Sequence, residues 1–329
     1  MDLTNPLFTV VVPLYNKGRA VADALASVQA QTCRDWEIVV VDDGSTDDSA
    51  AIACEFVERM SAQGHRAVVI RQVNAGAAAA RNTAIDAARG ALIAFLDADD
   101  EWQPWHLQSL QQLWSAFPTC GLFTAGWIKR TQAGQRSEPR HPSADSIAVN
   151  LFDGMRLRAV APITSAVVVP LDIIRSVGAF DTRFRTGEDL DLWYRIGLKH
   201  SVAQSARPSA IVRQDREGVQ HLTHAPAVDK GPGATNTLQA RYLAGTISED
   251  QRSPVRRFLV ARRLRNALRM LVMERDRTQT RAALDQARGV WPGRGLPLFL
   301  ALRLVTLVPG SGTMVGGTVA LLRRPKREA

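Results

Sequence analysis

"ALIAFLDADD", residues 91–100, sets six apolar residues directly before three carboxylates, Asp97, Asp99 and Asp100, with a fourth at Glu101. An unbroken apolar run of this length, with no alternation, reads as a strand buried on both faces, the situation of strands in parallel sheets. The same pattern recurs toward the N-terminus. "LFTVVVPLYN" (7–16) is a Val-rich run that ends in Tyr15 and Asn16, and "WEIVVVDDGS" (36–45) ends in Asp42 and Asp43. "RAVVIRQVN" (66–74) is a further strand. Between these runs lie segments of helical spacing: "RAVADALASVQAQ" (19–31), with Val21, Leu25 and Val28 on one face, "DDSAAIACEFVERM" (47–60), and the Ala-rich "AGAAAARNTAIDAARG" (75–90). Ser45 or Thr46 reads as the cap of the second helix, and Gly90 as the C-cap of the third. Strands alternating with helices make βαβ units, hence an α/β fold with a mostly parallel, doubly wound, Rossmann-like sheet.

In such sheets a ligand lies beyond the carboxyl ends of the strands. That edge is where this sequence gathers its polar residues: Tyr15 and Asn16, Asp42 and Asp43, and the acids of 97–100. Asp residues after strands also cap turns and helices, but two acidic clusters at one edge exceed what capping needs. No GxGxxG follows the first strand and no GxxxxGK[ST] occurs, so dinucleotide and P-loop readings lose their main support. Clustered carboxylates suit a hard divalent cation, Mg²⁺ or Mn²⁺, which takes one or two protein oxygens and fills its remaining positions from water and substrate phosphates. The rim therefore reads as a metal–diphosphate site.

Beyond residue 101 the pattern changes. Apolar segments at "CGLFTAGWIKR" (120–130) and "ITSAVVVP" (163–170) are separated by polar loops, and "DIIRSVGAFD" (172–181) is a short helix with a turn at Gly178. In "FRTGEDLDLWYRIG" (184–197), Leu190, Trp193 and Ile196 give a helical face, with Glu188 and Asp189 in the first turn. Acids there complement the helix dipole or supply a general base aimed at the rim. Periodicity leaves both readings open.

Four stretches, "TVVVPLYNKG", "EIVVVDDGSTDDS", "NAGAAAARNTAIDAARGALIAFLDADDEWQP" and "VGAFDTRFRTGEDLDLWYRI", resemble in order and spacing the inverting nucleotide-sugar glycosyltransferases of family 2, which have the GT-A fold. The resemblance covers about residues 7–200. It implies that Pro13, Tyr15 and Asn16 lie along the nucleotide and that Asp43 bonds its base. Ala80, Arg81 and Asn82 match the segment near the diphosphate and ribose. Asp97 would lie near ribose or sugar hydroxyls, Asp99 would ligate Mn²⁺ or Mg²⁺, and Asp189 of the Glu188–Asp189 pair would be the catalytic base. A downstream polar residue often completes the metal site. His221 is the residue taken here, with Asp215 and His224 as its rivals in "QDREGVQHLTH" (214–224). The implied donor is a nucleotide sugar, a UDP-sugar by preference, and the acceptor a saccharide or polyprenyl-linked saccharide in cell-surface polysaccharide synthesis. The QxxRW-type motif and membrane helices of processive members are absent, which points to one sugar added per encounter.

Charge is unevenly spread. Residues 252–329 hold 17 Lys and Arg against 4 Asp and Glu, whereas the whole chain carries only +9. A solvated Arg-rich surface and contact with an anionic membrane surface both fit that excess. "PVRRFLVARRLRNALRMLVME" (254–274) is a basic amphipathic helix, and "LPLFLALRLVTLV" (296–308) is too short to span a bilayer. The expected organisation is a catalytic domain over 1–224, its nucleotide-sugar half about 1–104 and its acceptor half about 105–224. A linker over 225–236 and a helical C-terminal extension over 237–329 follow. Three scattered cysteines and an N-terminus without a basic region point to the cytoplasm, with peripheral attachment to the inner membrane face. Two other functions fit parts of the sequence. A nucleotidyltransferase would carry a Gly-rich basic loop where "PLYNKGRA" stands. A nucleic-acid binder would interleave aromatics with its basic residues and would not present an acidic rim, so no specific nucleic acid is expected.

Overall fold

A computed structural model describes residues 5–130, 136–137, 146–213 and 233–269, with isolated positions beyond. It divides into two compact units, 1–238 and 239–329. The first is built on β1 (Phe8–Leu14), α1 (Ala20–Gln29), β2 (Trp36–Asp42), α2 (Ser49–Ala62), β3 (Ala67–Arg71), α3 (Ala77–Ala87) and β4 (Leu92–Phe95). It continues with β5 (Glu101–Trp102), α4 (His106–Ala116), β6 (Leu122–Arg130), β7 (Arg136–Ser137), β8 (Ile147–Val149) and α5 (Leu151–Leu157). A 3₁₀ turn (Thr164–Ala166), β9 (Val167–Pro170), α6 (Leu171–Val177), α7 (Glu188–Gly197) and β10 (Val202–Arg213) follow, and then α8 (Ala234–Leu243) at the boundary between the units.

The strands form one sheet in the order β3-β2-β1-β4-β9-β6-β10-β5, with β7 beside β6 and β8 beside β10. The neighbours β3, β2, β1 and β4 are parallel, and so are β6 and β10, while β9 runs antiparallel between β4 and β6. The sheet is mixed but mostly parallel in its first half, as the alternating elements require. β1 lies at its centre because both of its faces are apolar. Val10, Val12 and Leu14 pack in the layer of Leu25 and Val28, and Val11 is equally buried. Full burial of each such side chain contributes roughly 1.5–3 kcal/mol, so any other place for this strand would waste one face.

Register then sets the rim. Leu14 pairs with Asp42 and Val11 with Phe95, so the residues after β1, β2 and β4 emerge at one edge. On the sheet face of α7, Trp193 packs against Phe95 and Phe180, with ring centroids 5.8 and 6.2 Å away. That contact carries the first turn of α7 to the same edge.

Two local expectations are corrected. Gly90 is not a left-handed cap: α3 ends at Ala87, and Ala88 is already extended. Gly90 instead lets β1 approach, because a Cβ there would stand 2.5 Å from the Thr9 amide nitrogen. Nor do Ser45 and Thr46 cap α2, which starts at Ser49 after Asp48. They bond to the chain after β1: the Asn16 amide donates to Ser45 Oγ at 3.1 Å, and the Thr46 amide to Asn16 Oδ1 at 2.8 Å.

In the second unit, α9 spans Glu249–Arg269. Val255, Phe258, Leu259 and Ala267 of the expected apolar stripe are completely buried, while Leu264 is half-buried. Arg256 and Arg257 are exposed, while Arg263 is buried and donates to Gln239 Oε1 at 3.0 Å. No helix among the described residues is long and apolar enough to cross a membrane. The segment 296–308 and most of the expected linker lie outside the described residues.

Candidate active site

The acidic loop that ends β4 is held by cations and hydroxyls. Asp97 Oδ1 accepts from Arg81 Nη2 at 2.7 Å. Asp99 Oδ2 accepts from Lys17 Nζ at 2.7 Å. Asp100 Oδ2 accepts from Ser165 Oγ at 2.6 Å, and its Oδ1 from the Arg213 amide at 3.2 Å. The loop turns tightly, with the Asp100 amide bonded to the Asp97 carbonyl at 3.0 Å. Asp97 is the most open of the three, its side chain 32% exposed against 11% for Asp99. Asp100 is buried, as is Asp99. Burial, and then the charges of Asp97 and Asp99, push its pKa well above the usual carboxylate range. Asp100 is thus an anchor of the loop; Asp99 is nearly as buried, and Asp97 is the member most open to the rim.

Arg81 is the hub. Its guanidinium is buried on α3 and bridges Asp97 and Glu188, at 2.7 Å to each. It also lies over the Phe180 ring, 5.3 Å from the centroid. Burial works against the charge, but the two carboxylates outweigh it and hold the pKa above its ordinary value. The first turn of α7 is thereby tied to the loop after β4. Glu188 spends a carboxylate oxygen on Arg81. Asp189 is half-buried, and the loss of water around its carboxylate, followed by the adjacent Glu188 charge, raises its pKa above the ordinary carboxylate value. Its Oδ1 accepts from the Leu190 amide at 2.7 Å and its Oδ2 from Thr164 Oγ1 at 3.1 Å. A carboxylate with a raised pKa next to a polar rim is matched to taking up a proton.

On the other side of the rim, Pro13 is half-buried and Tyr15 is 45% exposed, an aromatic ring presented to solvent beyond β1. Asn16 holds a positive φ of 47°, a conformation Asn tolerates better than most residues. Asp43 is buried, and its carboxylate accepts from Gln72 Nε2 at 2.7 Å and from the Ala75 and Gly76 amides at 2.9 and 2.8 Å. It thus shapes the 72–76 loop, and a base would meet a carboxylate that already has three donors. Asn82 is likewise used internally, exchanging two bonds with the backbone of Phe180.

Of the residues expected for the site, Arg81, Asp97, Glu188 and Asp189 form one connected cluster, with Asp99 next to it through the loop. Asp215, His221 and His224 lie outside the described residues. Among the described residues no group of three or more His, Cys, Asp or Glu is arranged to hold a metal ion. Lys17, Thr164 and Ser165 were not read as site residues. The only sequence signal was their position: Lys17 directly follows Asn16 on the rim, and Thr164 and Ser165 are polar residues at the head of the apolar run "ITSAVVVP".

Residues 9–159 match the family model described as "Glycosyl transferase family 2". The putative teichuronic acid biosynthesis glycosyltransferase TuaG of Bacillus subtilis is 36% identical over 129 residues, 39% of this chain and 50% of that protein. The chain thus spans half of that relative's length or less. Among solved structures, S. aureus TarS 1–349 in complex with UDP-GlcNAc superposes with a TM-score of 0.70 at 18% identity, over 95% of this chain and 91% of that one. GalNAc-T7 with UDP, GalNAc and Mn²⁺ gives 0.51 at 18% identity, over 67% of this chain and 46% of that one. At such identities the likeness is one of fold, and it is the GT-A arrangement with C-terminal helices. Residues 9–159, which carry β1 to α5 and the acidic loop of the rim, are the part of the chain that resembles glycosyl transferase family 2.

Proposed function

We propose that this chain is an inverting glycosyltransferase that moves one sugar from a nucleotide-diphosphate sugar, a UDP-sugar first, to a saccharide or lipid-linked saccharide acceptor. The observation that carries the reading is Asp189, a half-buried carboxylate with a raised pKa, joined through Glu188 and Arg81 to the acidic loop at the rim. The acceptor oxygen forms a bond to the anomeric carbon as the bond from that carbon to the diphosphate oxygen breaks. The electron pair leaves with the nucleoside diphosphate, and Asp189 takes the acceptor's proton. One base and one direct displacement invert the anomeric centre, with no second nucleophilic carboxylate needed. Arg81 orients Asp97 toward the donor and Glu188 away from the acceptor. Exposed Tyr15 offers a face on which a base can stack.

Asp99 is the oxygen donor placed to hold Mn²⁺ or Mg²⁺, with the diphosphate completing the sphere; such an ion, when bound, would stabilise the leaving diphosphate charge. The donor chemistry fits, since one or two protein carboxylates suffice for these ions. Lys17 already brings a cation to Asp99 and, released by a bound ion, would be free to face phosphate. GalNAc-T7 with Mn²⁺ and TarS with UDP-GlcNAc support the metal and the donor class, and TuaG supports polysaccharide synthesis. For the C-terminal part we infer peripheral contact with anionic membrane from the cytoplasmic side. It would run through exposed Arg256 and Arg257 rather than the buried Val255, Phe258, Leu259 and Ala267.

Calorimetric titration with UDP, GDP and dTDP, in Mn²⁺ and then in chelator, is the test. Metal-dependent binding of UDP that Asp99→Ala abolishes is the expected result. Binding of none of the three sinks the reading, and steeply salt-dependent binding to arbitrary DNA would favour a nucleic-acid function instead.

A further inference from the structure

The 3₁₀ turn Thr164–Ala166 joins the two halves of the site through neighbouring hydroxyls. Thr164 Oγ1 donates to Asp189 Oδ2 at 3.1 Å. Ser165 Oγ donates to Asp100 Oδ2 at 2.6 Å and accepts from the Asp97 amide at 3.1 Å. The turn is itself clamped: Trp102 Nε1 donates to the Ser165 carbonyl at 2.6 Å, and the Ala166 amide to the Ile163 carbonyl at 2.9 Å. It runs directly into β9, whose Val168 pairs with Ala94 of β4 on one side and Phe123 of β6 on the other. Thr164 and Ser165 are almost completely buried, so neither hydroxyl is there to meet water.

We propose that Thr164 is the positioning residue of the base, fixing which oxygen of Asp189 faces the acceptor, while Ser165 sets the acidic loop, so that one rigid turn registers base and donor site. This inference rests on the transferase reading above. The hydroxyl of Thr164 has one proton, and it is spent on Asp189. A donor bonded to a carboxylate favours the ionised form, so Thr164 acts against the burial and the Glu188 charge that push the proton back on. The charged groups acting on Asp189 are Glu188 on its own helix and Arg81 from α3; Thr164 is the neutral donor facing it from the turn. The Leu190 amide holds Oδ1, so Oδ2 is the oxygen that Thr164 orients.

The test titrates Asp189 by carbon-13-detected carboxyl NMR of the full chain, with the resonance assigned through Asp189→Asn. In Thr164→Val the Asp189 titration should move up by about one pH unit, the worth of a hydrogen bond to a charged group. Thr164→Ser should bring it back. The acid limb of UDP-GlcNAc hydrolysis, in which water replaces the acceptor, should follow the same order. Ser165→Ala should leave the Asp189 titration in place and weaken UDP binding threefold or more. If Thr164→Val does not fold, Thr164→Ala carries the same expectation. An Asp189 titration that Thr164→Val leaves where it was, or that Thr164→Ser does not restore, overturns the proposal. If the titration moves as expected but wild type neither binds UDP nor hydrolyses UDP-GlcNAc, the orienting bond stands and the transferase reading falls. UDP binding and hydrolysis with an unmoved titration would do the reverse.

Discussion

Replacing Arg81 by Met tests the organisation of the site as a matter of stability. The side chain is 5% exposed and pairs at 2.7 Å with Glu188, 14% exposed, and with Asp97, 32% exposed. Met keeps much of the volume and the packing on Phe180 but abandons two carboxylates. Breaking a buried pair by removing one partner costs about 3–5 kcal/mol, chiefly because the remaining charge stays buried. Glu188 belongs to that class. Asp97 is open enough for water to screen it, so its share is about 1 kcal/mol at most. A loss of about 4 kcal/mol follows, which for a unit of this size lowers Tm by roughly 8–16 °C. Urea denaturation followed by tryptophan fluorescence measures it. Arg81→Lys should recover part of the loss, since one ammonium cannot hold both acids in a fork. The double variant Arg81→Met/Glu188→Gln should be more stable than Arg81→Met alone, because it removes the stranded charge. A loss below about 1 kcal/mol for Arg81→Met, or no recovery in the double variant, would refute the view that Arg81 holds the loop after β4 and α7 together.

Asp189→Asn should retain UDP binding and lose transfer by roughly 10²–10⁴-fold, the usual worth of a general base. Its stability has a definite sign. The folded pKa lies above the unfolded one, so the folded chain binds that proton more tightly, and wild type loses stability as pH rises from the ordinary carboxylate value through the folded pKa. Asp189→Asn should therefore melt higher than wild type at pH 7, and the gap should close in acid; an Asn variant less stable at pH 7 would contradict the burial argument. His106 works in the opposite direction. Burial lowers its pKa from 6.5 to about 3, while its Nδ1 meets Ser209 Oγ at 2.8 Å and its ring stacks on Trp102. Stability should be full above about pH 6.5 and decline toward pH 3, and His106→Gln should flatten that decline in a pH series of thermal melts. Gly90→Ala should cost at least about 1–3 kcal/mol by denaturant titration, since its Cβ meets backbone atoms of Phe8 and Thr9 at 2.6 and 2.5 Å. An unchanged midpoint would mean that β1 yields more readily than its full burial suggests.

Reading the fold from the sequence succeeded where environment is uniform along a segment. The Val-rich runs of β1 and β2 and the apolar run of β4 are buried on both faces, so composition alone marks them, and their polar exits mark the rim. It failed where one residue serves a distant partner. Gly90 has the look of a helix cap, but its lack of a side chain is demanded by β1, some 80 residues earlier in the chain. Glu37 was invisible inside "WEIVVV", where it is completely buried and collects Thr9 Oγ1, Arg66 and the amides of Arg89 and Gly90.

The candidate site divides in the same way. The residue types, Asp97, Asp99, Glu188 and Asp189 at strand and helix ends, could be read directly, because charges placed beside apolar runs mark the ends of elements. Which charges pair could not. Lys17 meets Asp99 across 82 residues, Arg81 meets Glu188 across 107, and Thr164 meets Asp189 across 25. By itself the sequence determined the α/β alternation, the acidic edge and the resemblance to family 2. The tertiary structure alone decided that Arg81 is the hub, that Glu188 rather than Asp189 is paired with it, and that α9 buries Val255, Phe258, Leu259 and Ala267. Hydrophobic periodicity records how buried a segment is, and that is a local property. The state of an ionisable group depends on which charges and donors the fold brings within about 3 Å of it.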